Sequence, residues 1–207
     1  MSDDAELLQA WRDGDRRAGG ELISRHFEAI HRFFANKVQT GSEVEELVQR
    51  TFTGAVEGLV RFQARSSVRT WLFAIARNIL RQWAQQQARK RGREQALGDA
   101  SVSDLGVGVS TMVGQRREQR LLLEALRRIP IESQVVLELS YWERFSARQI
   151  AEVLGCPEGT VRSRLTRAKQ ELRACLDTLA RTREELDSTV NGLEDWAREL
   201  RELQVGA

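Results

Sequence analysis

Ser146-Ala-Arg-Gln-Ile-Ala-Glu-Val-Leu-Gly-Cys-Pro-Glu-Gly-Thr-Val-Arg-Ser-Arg-Leu-Thr-Arg-Ala-Lys169 reads as two short helices joined by a tight turn. Ser146 with Gln149 forms an S-x-x-Q capping box that starts the first helix. Leu154-Gly155 stops it, and Pro157 suits the opening of the next because its φ is already close to helical. At about 100° per residue, Val161, Leu165, Ala168 and Leu172 share an apolar stripe. Arg162, Ser163, Thr166, Arg167 and Gln170 lie opposite, flanked by Arg164 and Lys169. Long bidentate donors and short hydroxyls on one face, with cations beside them, are what a recognition helix presents to bases and phosphates in a major groove. An amphipathic helix with a merely solvated basic face is the plainer alternative, but capping, turn and polarity together favour a helix-turn-helix.

Outward from this motif, helical periodicity dominates and no alternating strand is convincing. Leu22, Ile23, Phe27, Ile30, Phe33 and Phe34 mark one amphipathic helix. Ser42 with Glu45 forms a second capping box, opening a helix through Leu47, Val48, Phe52 and Val56. A third helix runs from about Val68 or Thr70 to Lys90, with Leu72, Ile75, Ala76 and Ile79 as its stripe. Another set of apolar residues, Leu121, Leu122, Leu126 and Ile129, is followed from Pro130 by Val135, Val136 and Leu139. Between about Gly92 and Gln115 the texture changes to glycine mixed with Ser, Val and Asp, which reads as a flexible linker. Relaxed, such a chain spans on the order of 25–30 Å; stretched, it reaches roughly 80 Å. It can join two DNA contacts more than one helical turn, about 34 Å, apart, but it cannot fix their spacing.

The 207 residues carry a formal net charge of only +2, so the chain is not a globally basic coat. The charge is sorted instead. No acidic residue lies between Glu57 and Glu94, where Arg61, Arg65, Arg69, Arg77, Arg81, Arg89, Lys90, Arg91 and Arg93 all occur, and the stretch from Asp177 onward is net acidic. Such sorting points to a nucleic-acid footprint plus a separate surface with another task. Phe62, Trp71, Phe73 and Trp83 interleave with those cations, a composition suited to single-stranded DNA, where stacking contributes about 1–3 kcal/mol per base. Core packing is the alternative for Trp71 and Phe73. It is preferred for Phe73, with Trp71 balanced between the two.

Cys156 and Cys175 are too few for a disulfide framework and are not spaced as C-x-x-C, which points to a reducing compartment. The acidic start Met1-Ser-Asp-Asp lacks the apolar core of a signal peptide, and no stretch approaches the roughly 20 apolar residues of a membrane span. A cytoplasmic protein with no direct membrane insertion is expected. A DNA-processing enzyme would need a nucleophile or clustered carboxylates for metal, and Asp and Glu are absent from the basic segment. No catalytic residue, metal or cofactor is expected.

A duplex reader and a single-strand binder on one linked chain make an unusual pair, and here the sequence resembles the extracytoplasmic-function (ECF) sigma factors of bacterial RNA polymerase. The resemblance runs from about Ala5 to Cys175. Trp11-Arg-Asp-Gly-Asp15 looks like the family's opening helix, and Val44-Glu-Glu-Leu-Val-Gln-Arg-Thr-Phe52 resembles D-x-E-D-L-V-Q-E-T-F. Ser67-Val-Arg-Thr-Trp-Leu-Phe-Ala-Ile-Ala-Arg-Asn78 is similar to S-F-x-T-W-L-x-x-I-A-x-N, and Gly159 to Lys169 is similar to G-T-V-x-S-R-L-x-R-A-R/K. The resemblance implies an all-α fold: a sigma region 2 domain over 1–91, a linker over 92–116, a region 4 helix-turn-helix domain over 117–176 and a helical C-terminal extension over 177–207.

It also implies roles by position. Glu45, Glu46, Leu47, Gln49, Arg50 and Phe52 would dock on the coiled coil of the polymerase β′ subunit, with the β flap as a further core contact. Phe62, Arg65, Ser66, Ser67, Val68, Arg69, Thr70 and Trp71 would hold a base flipped from the −10 element, with Arg77, Asn78 and Arg81 along the non-template strand. Flipping costs a few kcal/mol of stacking, so a pocket that compensates only for the right base couples recognition to melting. Arg162, Ser163, Arg164, Thr166, Arg167 and Lys169 would read the −35 element as duplex. The implied partners are RNA polymerase core, promoter DNA in double- and single-stranded form, and an anti-sigma factor.

This sequence departs from the pattern at Val68, where a larger apolar residue is usual, at Arg50, where an acidic one is usual, and at Gly19-Gly20. In the tail, Leu165, Leu172, Leu179, Leu186, Leu193 and Leu200 recur every seven residues, but Lys169, Arg183 and Gln204 are polar and Asn191-Gly192 reads as a helix stop. A long extension is expected, followed by a short helix showing Leu193, Trp196, Ala197, Leu200 and Leu203, which packs on the protein itself or on a regulator. The competing reading is a helix-turn-helix transcriptional regulator that acts without core polymerase.

Overall fold

Local signals start most of the helices. The computed structural model describes residues 3–38, 40–90, 101 and 117–179, leaving aside the side chains of 117–119. Among them are eight helices: α1 (Asp4–Arg12), α2 (Arg16–Ala35), α3 (Gly41–Gly58), α4 (Val68–Lys90), α5 (Arg117–Arg128), α6 (Ile131–Tyr141), α7 (Ala147–Leu154) and α8 (Glu158–Leu179). Asp15 caps α2 by accepting the N–H groups of Arg17 and Ala18 at 2.8 and 3.3 Å. Ser67 caps α4, its Oγ accepting the Thr70 N–H at 3.1 Å. Most of the linker and the whole leucine-bearing tail beyond Leu179 lie outside the described residues; Ser101 forms an isolated antiparallel bridge with Pro130.

One start differs from expectation. Helix α3 is capped by Thr40, whose Oγ1 accepts the Glu43 N–H at 3.3 Å, and not by Ser42. Two overlapping S/T-x-x-E boxes compete here, and the earlier one forms; Val44 lies inside the helix from either start and is buried. Its N–H then donates to the Thr40 carbonyl at 3.1 Å.

The first four helices stack in order, α1 on α2, α2 on α3 and α3 on α4, while α5, α6 and α7 each pack on α8. The apolar interior does not divide between these halves. One cluster runs from Leu7 and Leu8 through Phe33, Phe34, Phe73 and Leu80 and continues into Val135, Val136, Leu139, Ile150 and Leu154. A smaller cluster gathers Leu122, Leu126, Leu137, Trp142, Ala168, Leu172 and Leu176. Helix α6 belongs to both, and α4 packs directly on α7. Phe73 meets Phe145 edge-on across this junction, with ring centroids 5.2 Å apart.

Gly19 explains itself in this packing. A Cβ there would lie 2.6 Å from the Trp11 indole, so α1 lies against α2 only because that position is bare. Two stripe residues are exposed where periodicity predicts burial. Phe27 is 45% and Val56 51% exposed, because no described helix covers the outer side of α2 and α3.

Candidate nucleic-acid and polymerase interface

The helix-turn-helix forms as its sequence signals require. Ser146 Oγ accepts the Gln149 N–H at 3.3 Å, and Gln149 Oε1 accepts the Ser146 N–H at 2.9 Å, closing the capping box. Gly155 takes φ +62°, the left-handed conformation that lets the chain turn out of α7. Pro157 directly precedes α8, and its carbonyl accepts the Thr160 N–H at 2.9 Å. Val161, Ala168 and Leu172 are buried against α5, α6 and α7, while Leu165 is half-buried.

The opposite face is open. Arg162, Ser163, Thr166, Arg167, Lys169 and Gln170 are exposed, and Arg164 is half-buried. Ser163 and Thr166 donate to the carbonyls of Thr160 and Arg162 at 2.9 and 3.0 Å, which leaves their oxygen lone pairs outward. Arg167 Nε donates to Glu171 Oε1 at 2.7 Å. Lys169 Nζ lies 5.3 Å from the Tyr141 ring centroid.

The basic segment is arranged differently. Arg77 is buried with all three nitrogens engaged: Nε and Nη2 donate to Glu132 Oε2 at 3.2 and 2.7 Å, and Nη1 donates to the Leu154 carbonyl at 3.2 Å. Arg81 Nε lies 3.5 Å from the other Glu132 oxygen. Arg69 donates to the Glu143 carbonyl at 2.9 Å and pairs with its carboxylate, and its guanidinium lies 4.7 Å from the Phe145 ring centroid. Arg32 also reaches Glu143, at 3.4 Å. Beneath them, Lys37, in the turn after α2, and Glu138 of α6 form a buried pair. Burial pushes the Lys37 ammonium below the usual lysine value, and Glu138 offsets part of that shift.

A cleft of about 420 Å³ opens at this junction, lined by Arg77, Arg81, Glu132, Arg164 and Arg167 among others. Cations from α4 and from α8 therefore line one cleft together with the Glu132 carboxylate. Nothing in local sequence marks Glu132, Glu138 or Glu143 as their partners, since each pairing spans 51 residues or more.

The loop before α4 keeps Arg65 and Ser67 exposed and Ser66 half-buried, with Ala64 at φ +51°. Phe62 and Trp71 stack with centroids 4.3 Å apart and planes at 15°. Val68 and Thr70 are buried, so they shape the loop from inside. Phe73 and Trp83 are core residues. Asn78 is exposed on the other side of α4, in a groove of about 460 Å³ with Gln49, Arg50, Thr53 and Gln82.

On α3, Glu45, Glu46 and Gln49 are exposed and Arg50 is half-buried, bonding to Gln82 Oε1 at 3.0 Å. Leu47 and Phe52 turn inward and hold the helix on the core. Beside that polar face lie exposed Phe27, Val56 and Val60, with Phe27 stacked on Phe52 at 6.2 Å. Among the described residues, no helix is long and apolar enough to cross a membrane.

Comparison with known proteins agrees with this layout. Residues 22–90 match the family model for sigma-70 region 2, and residues 119–172 match that for sigma-70, region 4. The ECF RNA polymerase sigma factor SigC of Mycobacterium tuberculosis is 35% identical over 174 residues, covering 78% of this chain and 84% of its own. An ECF RNA polymerase sigma-E factor of Haemophilus influenzae is 28% identical over 174 residues, covering 81% and 92%. Among solved structures, CnrH in complex with the cytosolic domain of CnrY superposes with a TM-score of 0.62 at 24% identity, over 86% of this chain and 99% of that one. The sigma factor RpoE bound to the anti-sigma factor NepR from Bartonella quintana gives 0.60 at 21% identity, over 76% and 96%. These two likenesses concern the fold.

Proposed function

The chain belongs to the ECF sigma factors of the sigma-70 family, and from that premise we propose how its surfaces divide the work of transcription initiation. It is an alternative sigma factor that acts with RNA polymerase core on promoter DNA. The exposed face of α8, from Arg162 to Lys169, reads the −35 element in the major groove. The loop from Phe62 to Trp71 receives a flipped −10 base, and Asn78, Arg77 and Arg81 follow the non-template strand. Helix α3, through Glu45, Glu46, Gln49 and Arg50 with the apolar patch at Phe27 and Val56, docks on the β′ coiled coil. The protein itself catalyses no reaction and works in the cytoplasm, where the polymerase is. An anti-sigma factor is the partner expected to hold it inactive.

The observation that carries this reading is the pairing, in one chain, of an open recognition-helix face with a basic helix whose arginines are already matched by carboxylates. Glu132 stands toward Arg77 and Arg81 as a phosphate would. The described arrangement is then a resting form, and the −10 and −35 contacts become available together once the halves separate on the polymerase. The test is capture by polymerase core followed by transcription in vitro from a random promoter library. Core-dependent transcripts sharing −35 and −10 sequences support the reading. Operator binding without core supports the regulator alternative.

A further inference from the structure

We propose that Arg12, on the N-terminal helix and outside every surface assigned above, is a positioning residue for promoter melting. Its guanidinium crosses from α1 to the far end of α3. Nε donates to the Leu59 carbonyl at 3.2 Å, and Nη2 donates to the Phe62 carbonyl. Helix α3 ends at Gly58, and carbonyls at a helix C-terminus lack partners within the helix, so a cation there satisfies them and complements the dipole. The same fork sets the first residue of the −10 loop.

The consequence passes through Phe62. Arg12 fixes its backbone and lies 5.9 Å from its ring centroid, and that ring lies flat on Trp71. Gly58 leaves room for the indole: a Cβ there would come within 3.2 Å of Trp71 Cζ2. At the other end of the loop, Ser67 caps α4 and shares a 2.8 Å hydrogen bond with the Thr70 hydroxyl. Both ends of the loop are therefore anchored, one by the cap of its own helix and one by a side chain about 50 residues away. An arginine suits that second anchor because its planar fork reaches two carbonyls at once, whereas a lysine offers a point charge.

The inference rests on the reading that this loop receives the flipped base. Arg12→Lys and Arg12→Gln, with Phe62→Ala as the reference, are assembled as full chains with polymerase core. Three quantities are read: open-complex formation on a duplex promoter, base preference across the −10 and −35 elements, and affinity for core. Both Arg12 variants are expected to lose about tenfold in opening, equivalent to roughly 1.4 kcal/mol, and to flatten −10 preference while −35 preference and core affinity stay unchanged. Flattened −10 preference in Phe62→Ala but not in Arg12→Lys overturns the role of Arg12 alone. Unchanged −10 preference in all three variants overturns the loop reading itself. Equal losses in core affinity and −35 binding reduce Arg12 to a general structural residue and also overturn the proposal.

Discussion

Arg77 Nη2 lies 2.7 Å from Glu132 Oε2, and this contact joins α4, to which the −10 cations are assigned by proposal, to α6 in the half that ends in the helix-turn-helix. The same carboxylate holds Arg81 at 3.5 Å. Arg77 is 7% exposed, so strand binding through it requires Glu132 to leave.

Glu132→Gln keeps the shape of the side chain and removes its charge. A hydrogen bond to a charged group contributes about 1.5–3 kcal/mol, and Glu132 is partly exposed, so the lower end applies. The free variant is expected to bind a fork probe carrying a single-stranded −10 element several-fold more tightly than the parent. Fluorescence anisotropy at fixed salt checks this, and equal affinities would show that the contact does not restrain the arginines.

The Lys37–Glu138 pair makes the opposite prediction. Lys37 also donates to the Phe33 carbonyl at 2.7 Å, and Gln134 donates to Glu138 at 2.9 Å, so the pair is fully engaged yet wholly buried. Replacing a buried ion pair by apolar residues of similar volume is often neutral or stabilising by about 1–4 kcal/mol, whereas removing one partner costs about 3–5 kcal/mol. Lys37→Met with Glu138→Leu should raise the melting temperature and lower transcription by holding the halves together. Lys37→Met alone should lower the melting temperature. Thermal denaturation beside in vitro transcription separates the two effects.

Gly19→Ala tests the α1–α2 junction. In an exposed helix interior this change gains about 1 kcal/mol. Here the new methyl would sit 2.6 Å from the Trp11 ring, and overpacking of that kind costs about 1–3 kcal/mol. A net loss of stability is expected from denaturant titration, with Trp11→Leu in the same chain restoring most of it.

On the recognition helix, Arg167→Ala should relax base preference at one −35 position by about 1–3 kcal/mol. Lys169→Ala should weaken all promoters alike and reduce the salt slope of binding by about one ion. Binding isotherms at several salt concentrations on a −35 library distinguish them. A uniform loss for Arg167→Ala would assign it to a phosphate.

Much of this molecule was legible from local patterns. The box at Ser146 and Gln149, the stop at Gly155 and the polar face from Arg162 to Lys169 all recur in the structure, because capping and period depend on residues within one or two turns. Where two local signals overlapped, at Thr40 and Ser42, the helix took the earlier one, with the Val44 N–H donating to the Thr40 carbonyl. Exposed Phe27 and Val56 read as core because periodicity reports which face is apolar and not whether anything covers it.

The sequence by itself determined the helices, their faces and the family to which they belong. It could not separate Arg77 from Arg162, since both are arginines on the polar side of basic helices. The tertiary structure did, turning one toward Glu132 and leaving the other in solvent. Likewise only the fold brought Arg12 to Phe62 and Lys37 to Glu138. Side-chain period is set within a turn of helix, but the partner of a charge is set by which helices pack together, and that depends on the whole chain.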